Sequence, residues 1–491
     1  MNEFGEQENK NNERNRSPAG KVYTEPFKKM KDVIIDYFCG GGGVSVGGQM
    51  AWGRSFDYAI NHSPSAIAMH KYNHPYTHHF TEDIMRVKIG KFLSWGQRVS
   101  FVWASPDCTS HSNAKGKTPI KRGLRILPMG VWKQCKLILK ATGKVPDVIM
   151  MENVPEIQKW GPLDKDGRPI KSREGEYYNK FIRLMKDLGY EFECRVLNSA
   201  NYGAHTARTR WYGEFRSDGR QIVWPEQTHS KGGVNGLKPW EPISQDIDFT
   251  DLGRSIFTRK VPLKDKTLSR IAAGIKKFVV DDPNRFILPD KMAAPFLIQY
   301  HSETVKGEVR GQSLKEPIQT IDTANRYALV TCFLSKFYKT GTGQTINDPI
   351  HTITTSPGHF ALVSAFLIKY YSGDIGQSLN EPIHTIVTKD RFGLVLVVID
   401  GVTYQIVDIW FRMLKPEELK LGQGFPKDYI IDFKMPNGKP YPKTMQVEKI
   451  GNSVVPLMAE KLCYTACPYL KVGERMPNMR IDDSQEQLRF A

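Results

Sequence analysis

Asp32-Val-Ile-Ile-Asp-Tyr-Phe-Cys-Gly-Gly-Gly-Gly43 is the stretch on which the fold turns. β-branched and aromatic residues over 32–38 predict a short buried strand, and the four glycines predict a tight turn into a helix. Glycine between strand and helix lets the backbone approach a ligand closely, which favours a cofactor site over an ordinary turn. Further strands are expected near 56–61, 99–104, 147–151, 191–197 and 209–215, with helices over 64–73 and 178–188. Strands alternating with helices imply an α/β fold, a doubly wound and mostly parallel sheet of Rossmann-like type covered on both faces.

Outside this core the chain changes character. Residues 1–30 are polar and mixed in charge and read as a disordered arm. After about residue 216 come roughly two hundred residues rich in Thr, Pro, Gly and β-branched side chains. They hold a repeat: Gly311-Gln-Ser-Leu-Lys-Glu-Pro-Ile-Gln-Thr-Ile321 recurs from Gly343 and again from Gly376. An aromatic-basic run precedes each copy (from Phe296, Phe333 and Phe366) and a Leu-Val pair closes it. The three units, about 296–330, 333–363 and 366–395, read as strand-turn-strand hairpins in a β-rich domain over 217–407. Helical patterning returns from about 408 to 467, with Lys415-Pro-Glu-Glu-Leu as a helix start, and 468–491 reads as a loose tail.

Composition narrows the function. Lys and Arg total 69 against 52 Asp and Glu, a net charge of +17, which favours a polyanionic partner. Seven cysteines without Cys-x-x-Cys spacing argue against a disulfide framework and against a metal site, and fit a reducing cytoplasm. No apolar run reaches membrane-span length, so no membrane partner is expected.

Four segments carry chemistry. The glycine turn is the first. In Ser105-Pro-Asp-Cys108-Thr, Cys108 stands just past a strand, where a nucleophile is usefully exposed; an inert half-buried thiol is the competing reading. In Met150-Met-Glu152-Asn-Val-Pro155, an apolar strand delivers Glu152 at its end as a candidate acid. In Thr206-Ala-Arg208-Thr-Arg210, alternate spacing puts two arginines on one strand face, suited to a carbonyl oxygen or a phosphate.

These segments in this order, followed by Gln423-Gly-Phe-Pro and Gly451-Asn-Ser-Val-Val-Pro456, resemble the DNA cytosine-5 methyltransferase family. The resemblance covers about 32–215 and 408–465, and the repeat-bearing segment sits where that family carries its target-recognition domain. It implies S-adenosylmethionine as cofactor and duplex DNA as partner. Cys108 is then the nucleophile, Glu152 the group on the base's ring nitrogen, and Arg210 with Arg208 the holders of its carbonyl oxygen. Phe38, Cys39, Gly40, Gly42 and Gly43 would surround the methionine part of the cofactor. Asn61 and His62 would meet ribose and adenine, Asp83 with Ile84 the adenine, and Asn452, Ser453 and Val454 the carboxylate end. Lys115, Lys117, Lys121, Arg122 and Arg125 follow the nucleophile and would close on DNA, while Arg326 and Arg391 stand at equivalent tips of two repeats. A monomer in the cytoplasm of a bacterial or phage-infected cell is expected, with a cognate restriction endonuclease as candidate partner. Three departures stand out. The family's Pro-Pro-Cys-Gln is here Pro106-Asp107-Cys108-Thr, its Gln-x-Arg-x-Arg opens with Thr206, and its ribose-binding acid is Asn61. An RNA cytosine methyltransferase, a catalytically silent DNA-binding relative and a nucleotide-binding oxidoreductase are the alternatives. The oxidoreductase leaves Cys108, Glu152 and the C-terminal segments unexplained.

Overall fold

The computed structural model describes residues 32–108, 125–300, 310–336, 366–369, 377–378, 392–393, 396–399, 402–435 and 437–472. They form two compact units: one runs to Leu197 and adds Thr209–Glu226 and the chain from Ser453, and the other is Asn198–Arg208 with Gln227–Asn452.

The first unit holds a seven-stranded sheet. Its strands are β1 (Asp32–Tyr37), β2 (Tyr58–Ile60), β3 (His78–Phe80), β4 (Arg98–Ala104), β5 (Val148–Asn153), β6 (Glu191–Asn198) and β7 (Thr209–Arg216). They lie in the order β3-β2-β1-β4-β5-β7-β6. β1 to β5 pair in parallel, and β7 runs antiparallel to β5 with Glu152 opposite Tyr212. Val33, Ile34 and Ile35 are sealed on both faces, as central parallel strands require. The order reverses between β1 and β4. The loops leaving those two strands, 38–43 and 105–108, therefore open a crevice at their carboxyl ends, where such sheets take ligands.

Helix α1 (Gly43–Trp52) follows the glycine turn, and α2 (Pro64–Asn73) starts on a Ser63 cap. α3 (Leu127–Thr142) and α4 (Glu176–Lys186) complete the cover and share the core with Val102, Ile149 and Phe215. The last helix of the unit, Pro456–Ala466, packs against α1 at Gly47. A Cβ there would meet the Pro456 carbonyl at 2.4 Å, so only glycine permits this approach.

In the second unit Tyr327–Lys336 is central, antiparallel to Ala293–Gln299 on one side and Val402–Met413 on the other. Helix Asp265–Ile275 covers one face, with Ile271 and Ile275 in a core with Phe296 and Val330. The repeat is visible in the pairing. In the first copy Leu297 pairs with Gln312 and Gln299 with Tyr327; in the third, Leu367 pairs with Gln377 and Lys369 with Phe392. The two copies thus share one register. The Gln312 amide pins its own loop, donating to the Pro317 carbonyl at 3.0 Å and accepting from Gln319 N–H at 3.1 Å. Most of the second copy lies outside the described residues.

The compact units divide the chain differently from the sequence reading. Residues 408–452, expected with the catalytic core, belong to the second unit, because Val402–Met413 is an inner strand of its sheet. The segment after 216, expected to be β-rich, also includes that eleven-residue helix.

Candidate active site

β1 delivers the chain into a turn where Phe38 has φ 64°, Gly40 φ 50° and Gly42 φ 87°. The Gly42 N–H closes the turn on the Cys39 carbonyl at 2.9 Å. A left-handed aromatic residue is a strained conformation of the sort that clusters at ligand sites. A Cβ on Gly43 would lie 2.1 Å from the Val454 carbonyl oxygen, so the Ser453-Val454 backbone rests on the start of α1. Ser453 and Val454 are buried there, whereas Asn452 is exposed and belongs to the other unit.

Phe38 forms part of a cleft with Ile60, Asn61, His62, Glu82, Asp83, Ile84, Asp107 and Leu127. Five of the residues expected at the cofactor, Phe38, Asn61, His62, Asp83 and Ile84, are thus brought together. Asn61 Oδ1 accepts from Ser63 N–H at 2.9 Å, and Asp83 Oδ1 from Met85 N–H at 2.7 Å. Sequence reading missed Ile60, Glu82, Asp107 and Leu127. Asp107 could have been found as the acid beside Cys108, but nothing flags Leu127 nineteen positions beyond Cys108. An aromatic face, aliphatic walls, an amide and carboxylates suit a ligand with a purine, hydroxyls and positive charge, so the donor set fits S-adenosylmethionine.

A buried polar chain supports the turn from below. Ser45 Oγ–H donates to Asp36 at 2.9 Å, His70 Nε2 meets Ser45 Oγ at 3.1 Å, and His70 Nδ1 meets His79 Nε2 at 2.8 Å. Burial pushes the Asp36 carboxyl up to about 8, against the smaller opposing effect of the Ser45 bond. Burial likewise pushes the imidazoles down, His74 to about 3 and His79 to about 4, with His70 well below the usual range.

The Cys108 segment is tethered on three sides. Ser105 N–H donates to the Tyr37 carbonyl at 3.3 Å, Trp103 Nε1–H to Ser105 Oγ at 2.8 Å, and Asn153 Nδ2–H to the Pro106 carbonyl at 3.0 Å. Cys108, a half-buried thiol outside any disulfide, follows directly. Next to Asn153 at the end of β5, Glu152 Oε1 lies 3.1 Å from Arg210 Nε, and the two side chains are only 9% and 11% exposed. Antiparallel pairing of β5 with β7 brings these charges together.

Arg208 does not join them. β7 begins at Thr209, so the expected strand alternation stops one residue short of it. Residues 205–207 instead form a ladder with the first repeat, in which Ile318 N–H donates to the His205 carbonyl and Ala207 N–H to the Ile318 carbonyl, both at 2.7 Å. The Arg208 guanidinium donates to the carbonyls of Ile321 at 3.3 Å and Gly451 at 2.9 Å, all within the second unit. Arg125 is buried just before α3, its Nε and Nη1 without hydrogen-bond partners among the described residues, and burial holds it below the usual arginine range. Arg326 pairs with Asp322 at 2.8 Å and donates to the Tyr300 carbonyl at 3.1 Å. Lys115, Lys117, Lys121, Arg122 and Arg391 lie outside the described residues. Among the described residues no cluster of His, Cys, Asp and Glu is arranged to hold a metal, and no helix is long and apolar enough to cross a membrane.

Residues 33–231 match the family model of the C-5 cytosine-specific DNA methylase. Among curated relatives, the chain is 26% identical over 210 residues to the Type II methyltransferase M1.HphI of Haemophilus parahaemolyticus, covering 42% of this chain and 52% of that one. It is 27% identical over 210 residues to M.AgeI of Thalassovita gelatinovora, covering 41% and 44%. The chain therefore spans about half the length of these relatives. A solved putative DNA modification methyltransferase from an E. coli prophage aligns at 16% identity with a TM-score of 0.44, over 89% of this chain and 99% of that one. The family-model match over residues 33–231 and these relatives support the resemblance that the motif order carries, to the DNA cytosine-5 methyltransferase family.

Proposed function

We propose that this chain transfers a methyl group to carbon 5 of cytosine within a specific site of duplex DNA, with S-adenosylmethionine as donor. One observation carries the reading. The Asn153 amide ties the end of β5 to Pro106 at 3.0 Å, so the Glu152–Arg210 pair and the Cys108 segment are built as one constellation beside the Phe38 cleft.

Carbon 5 of cytosine is a weak nucleophile. Addition of the Cys108 thiolate to carbon 6 forms the S–C6 bond and moves the ring's π pair toward carbon 5. Glu152 would hold ring nitrogen 3 and the exocyclic amine, and Arg210 the carbonyl oxygen, offsetting charge as it develops. Phe38, Asn61, Asp83 and Ile84 would hold S-adenosylmethionine, which supplies an electrophilic methyl group when bound. Once carbon 5 is methylated, its proton passes to water and the returning electron pair expels the Cys108 thiolate. The target carbon is hidden in the base stack, so the base must be flipped out. Lys115, Lys117, Lys121 and Arg122 are suited to closing on the phosphates, with Arg125 at the base of that segment. The Type II names of the relatives suggest a cognate restriction endonuclease, and a monomer in a bacterial or phage-infected cytoplasm is part of the same reading.

The test is a duplex carrying 5-fluorocytosine, incubated with the full chain and S-adenosylmethionine. Fluorine cannot leave as the proton does, so a denaturation-resistant adduct should accumulate and vanish in Cys108→Ala. An adduct that survives Cys108→Ala means another nucleophile. No adduct on any duplex by the unaltered chain means the reading is wrong.

A further inference from the structure

The Phe38 cleft, taken as the S-adenosylmethionine site of the proposed methyl transfer, has walls from two parts of the sheet. Phe38 comes from the turn between β1 and α1, whereas Asn61, His62, Glu82, Asp83 and Ile84 follow β2 and β3. A ligand that touches both walls binds well only if their spacing is held.

On the turn side, Asp36 and Ser45 flank the glycines, and their side chains meet at 2.9 Å. That bond spans the turn and holds the end of β1 against the start of α1. β2 meets the turn through backbone, with Cys39 N–H donating to the Ile60 carbonyl at 3.1 Å. β3 lies one strand further out and reaches the turn through side chains. Its middle residue, His79, stands four positions before Asp83. His70 of α2, fully buried, joins the two sides: Nε2 meets Ser45 Oγ at 3.1 Å and Nδ1 meets His79 Nε2 at 2.8 Å. Burial keeps this imidazole neutral, so it has one N–H and one lone pair. Engaging both nitrogens therefore fixes the tautomer and rotation of the ring.

We propose that His70 is a positioning residue for the cofactor: by joining Ser45 to His79 it holds the Phe38 turn at a fixed spacing from the Asn61 and Asp83 loops. It lies in the core and acts through Ser45, so its effect falls on cofactor affinity.

Calorimetric titration of the full chain with S-adenosylmethionine, without DNA, tests this independently of turnover. His70→Phe keeps the bulk of the ring and removes both bonds, and should weaken binding about tenfold. His70→Gln returns a polar amide to the place of Nε2 and should bind within about threefold of the unaltered chain. Ser45→Ala should weaken binding as His70→Phe does, and the double variant should be no weaker than Ser45→Ala, because one residue acts through the other. Ser45→Ala removes a single hydroxyl, so it reads the same chain of bonds even if His70→Phe melts early. Equal losses in His70→Gln and His70→Phe, additive losses in the double variant, or unaltered affinity in Ser45→Ala overturn the proposal. An unaltered chain that does not bind S-adenosylmethionine overturns the methyl-transfer reading instead.

Discussion

Arg208 and Arg210 are separated by one residue and serve two different regions. Arg210 is the second residue of β7 and meets Glu152 at 3.1 Å in the first unit, while Arg208 ties the Ile321 and Gly451 carbonyls together in the second. One charge is set against another ionisable group in a pocket that chemistry can use. The other is consumed by backbone carbonyls that would otherwise be buried without a donor. Identical residues at strand spacing therefore have different roles because the chain changes unit between them.

The largest expected effect comes from separating the two. Arg210→Ala should lower methyl transfer by at least about a hundredfold, as loss of a donor to a developing oxyanion does. Arg208→Ala should instead cost about 2 kcal/mol of stability, because two buried carbonyls lose their partner. Urea unfolding and single-turnover methyl transfer on the same preparations distinguish the outcomes. An Arg208→Ala variant of ordinary stability that loses turnover as Arg210→Ala does would restore Arg208 to the catalytic set.

That contrast marks where sequence reading succeeds. β1, the glycine turn and α2 were legible because a β-branched run, four glycines and a Ser-Pro cap each have one local solution. Glu152 and Arg210 were legible because each closes or opens a strand with strong β character. β3, three residues of His-His-Phe at a sheet edge, offers too little pattern. α3 was missed because it follows a long polar segment, and Lys443–Asn452 because its apolar face is interrupted by Lys and Glu. The Arg208 contacts bridge 113 and 243 residues, so no local window contains them.

The two units should also answer pH differently. In the first unit Asp36, facing Ser45, Cys39 and Cys463, titrates near 8 instead of 3.8, so the folded state keeps a proton that the unfolded chain has released. Its favourable contribution is complete below about pH 4 and is lost as pH rises to about 8. His70, His74 and His79, facing one another with Lys71 and His78 at the rim, are pushed below 6.5, so their contribution is present above 6.5 and lost on acidification. Three imidazoles outweigh Asp36 and Glu214, whose buried carboxyl is likewise pushed up, to about 7, on the acid side, which puts maximal stability of this unit near pH 6.5. The decline above it should be about 1.4 kcal/mol per pH unit. His205 of the second unit has the opposite sign. The Asp246 bond raises it, so its contribution is present below 6.5 and lost as pH rises through its folded value. Hydrogen exchange resolved by segment at pH 5, 6.5, 7.5 and 8.5 reads both units at once. Asp36→Asn should abolish the decline of the first unit between pH 7.5 and 8.5, above the range of Glu214, and a decline that persists there in that variant refutes the assignment.

The smallest effect expected is at the repeats, where scaffold and reader must be told apart. The first and third copies share their register down to the pairs Gln299 with Tyr327 and Lys369 with Phe392, so their frames are the same device used twice. What differs is the sequence before those aromatic residues, Ala324-Asn-Arg326 in one copy and Lys389-Asp-Arg391 in the other. Arg326 is the observable tip. Its side chain is 42% exposed, paired with Asp322 at 2.8 Å and bonded to the Tyr300 carbonyl. An arginine reading a guanine edge contributes about 1–3 kcal/mol of discrimination. Here the low end is expected, because Arg326 must first give up contacts that already satisfy it. Arg326→Ala should therefore relax one position of the methylated site by roughly 1 kcal/mol, seen by sequencing methylated genomic sites in a host expressing the variant. A phosphate contact would instead weaken binding to every sequence and lower the salt slope by about one. If Arg326→Ala keeps site choice, affinity and salt slope and only melts earlier, the Asp322 pair is the whole of its role and the repeats are scaffold.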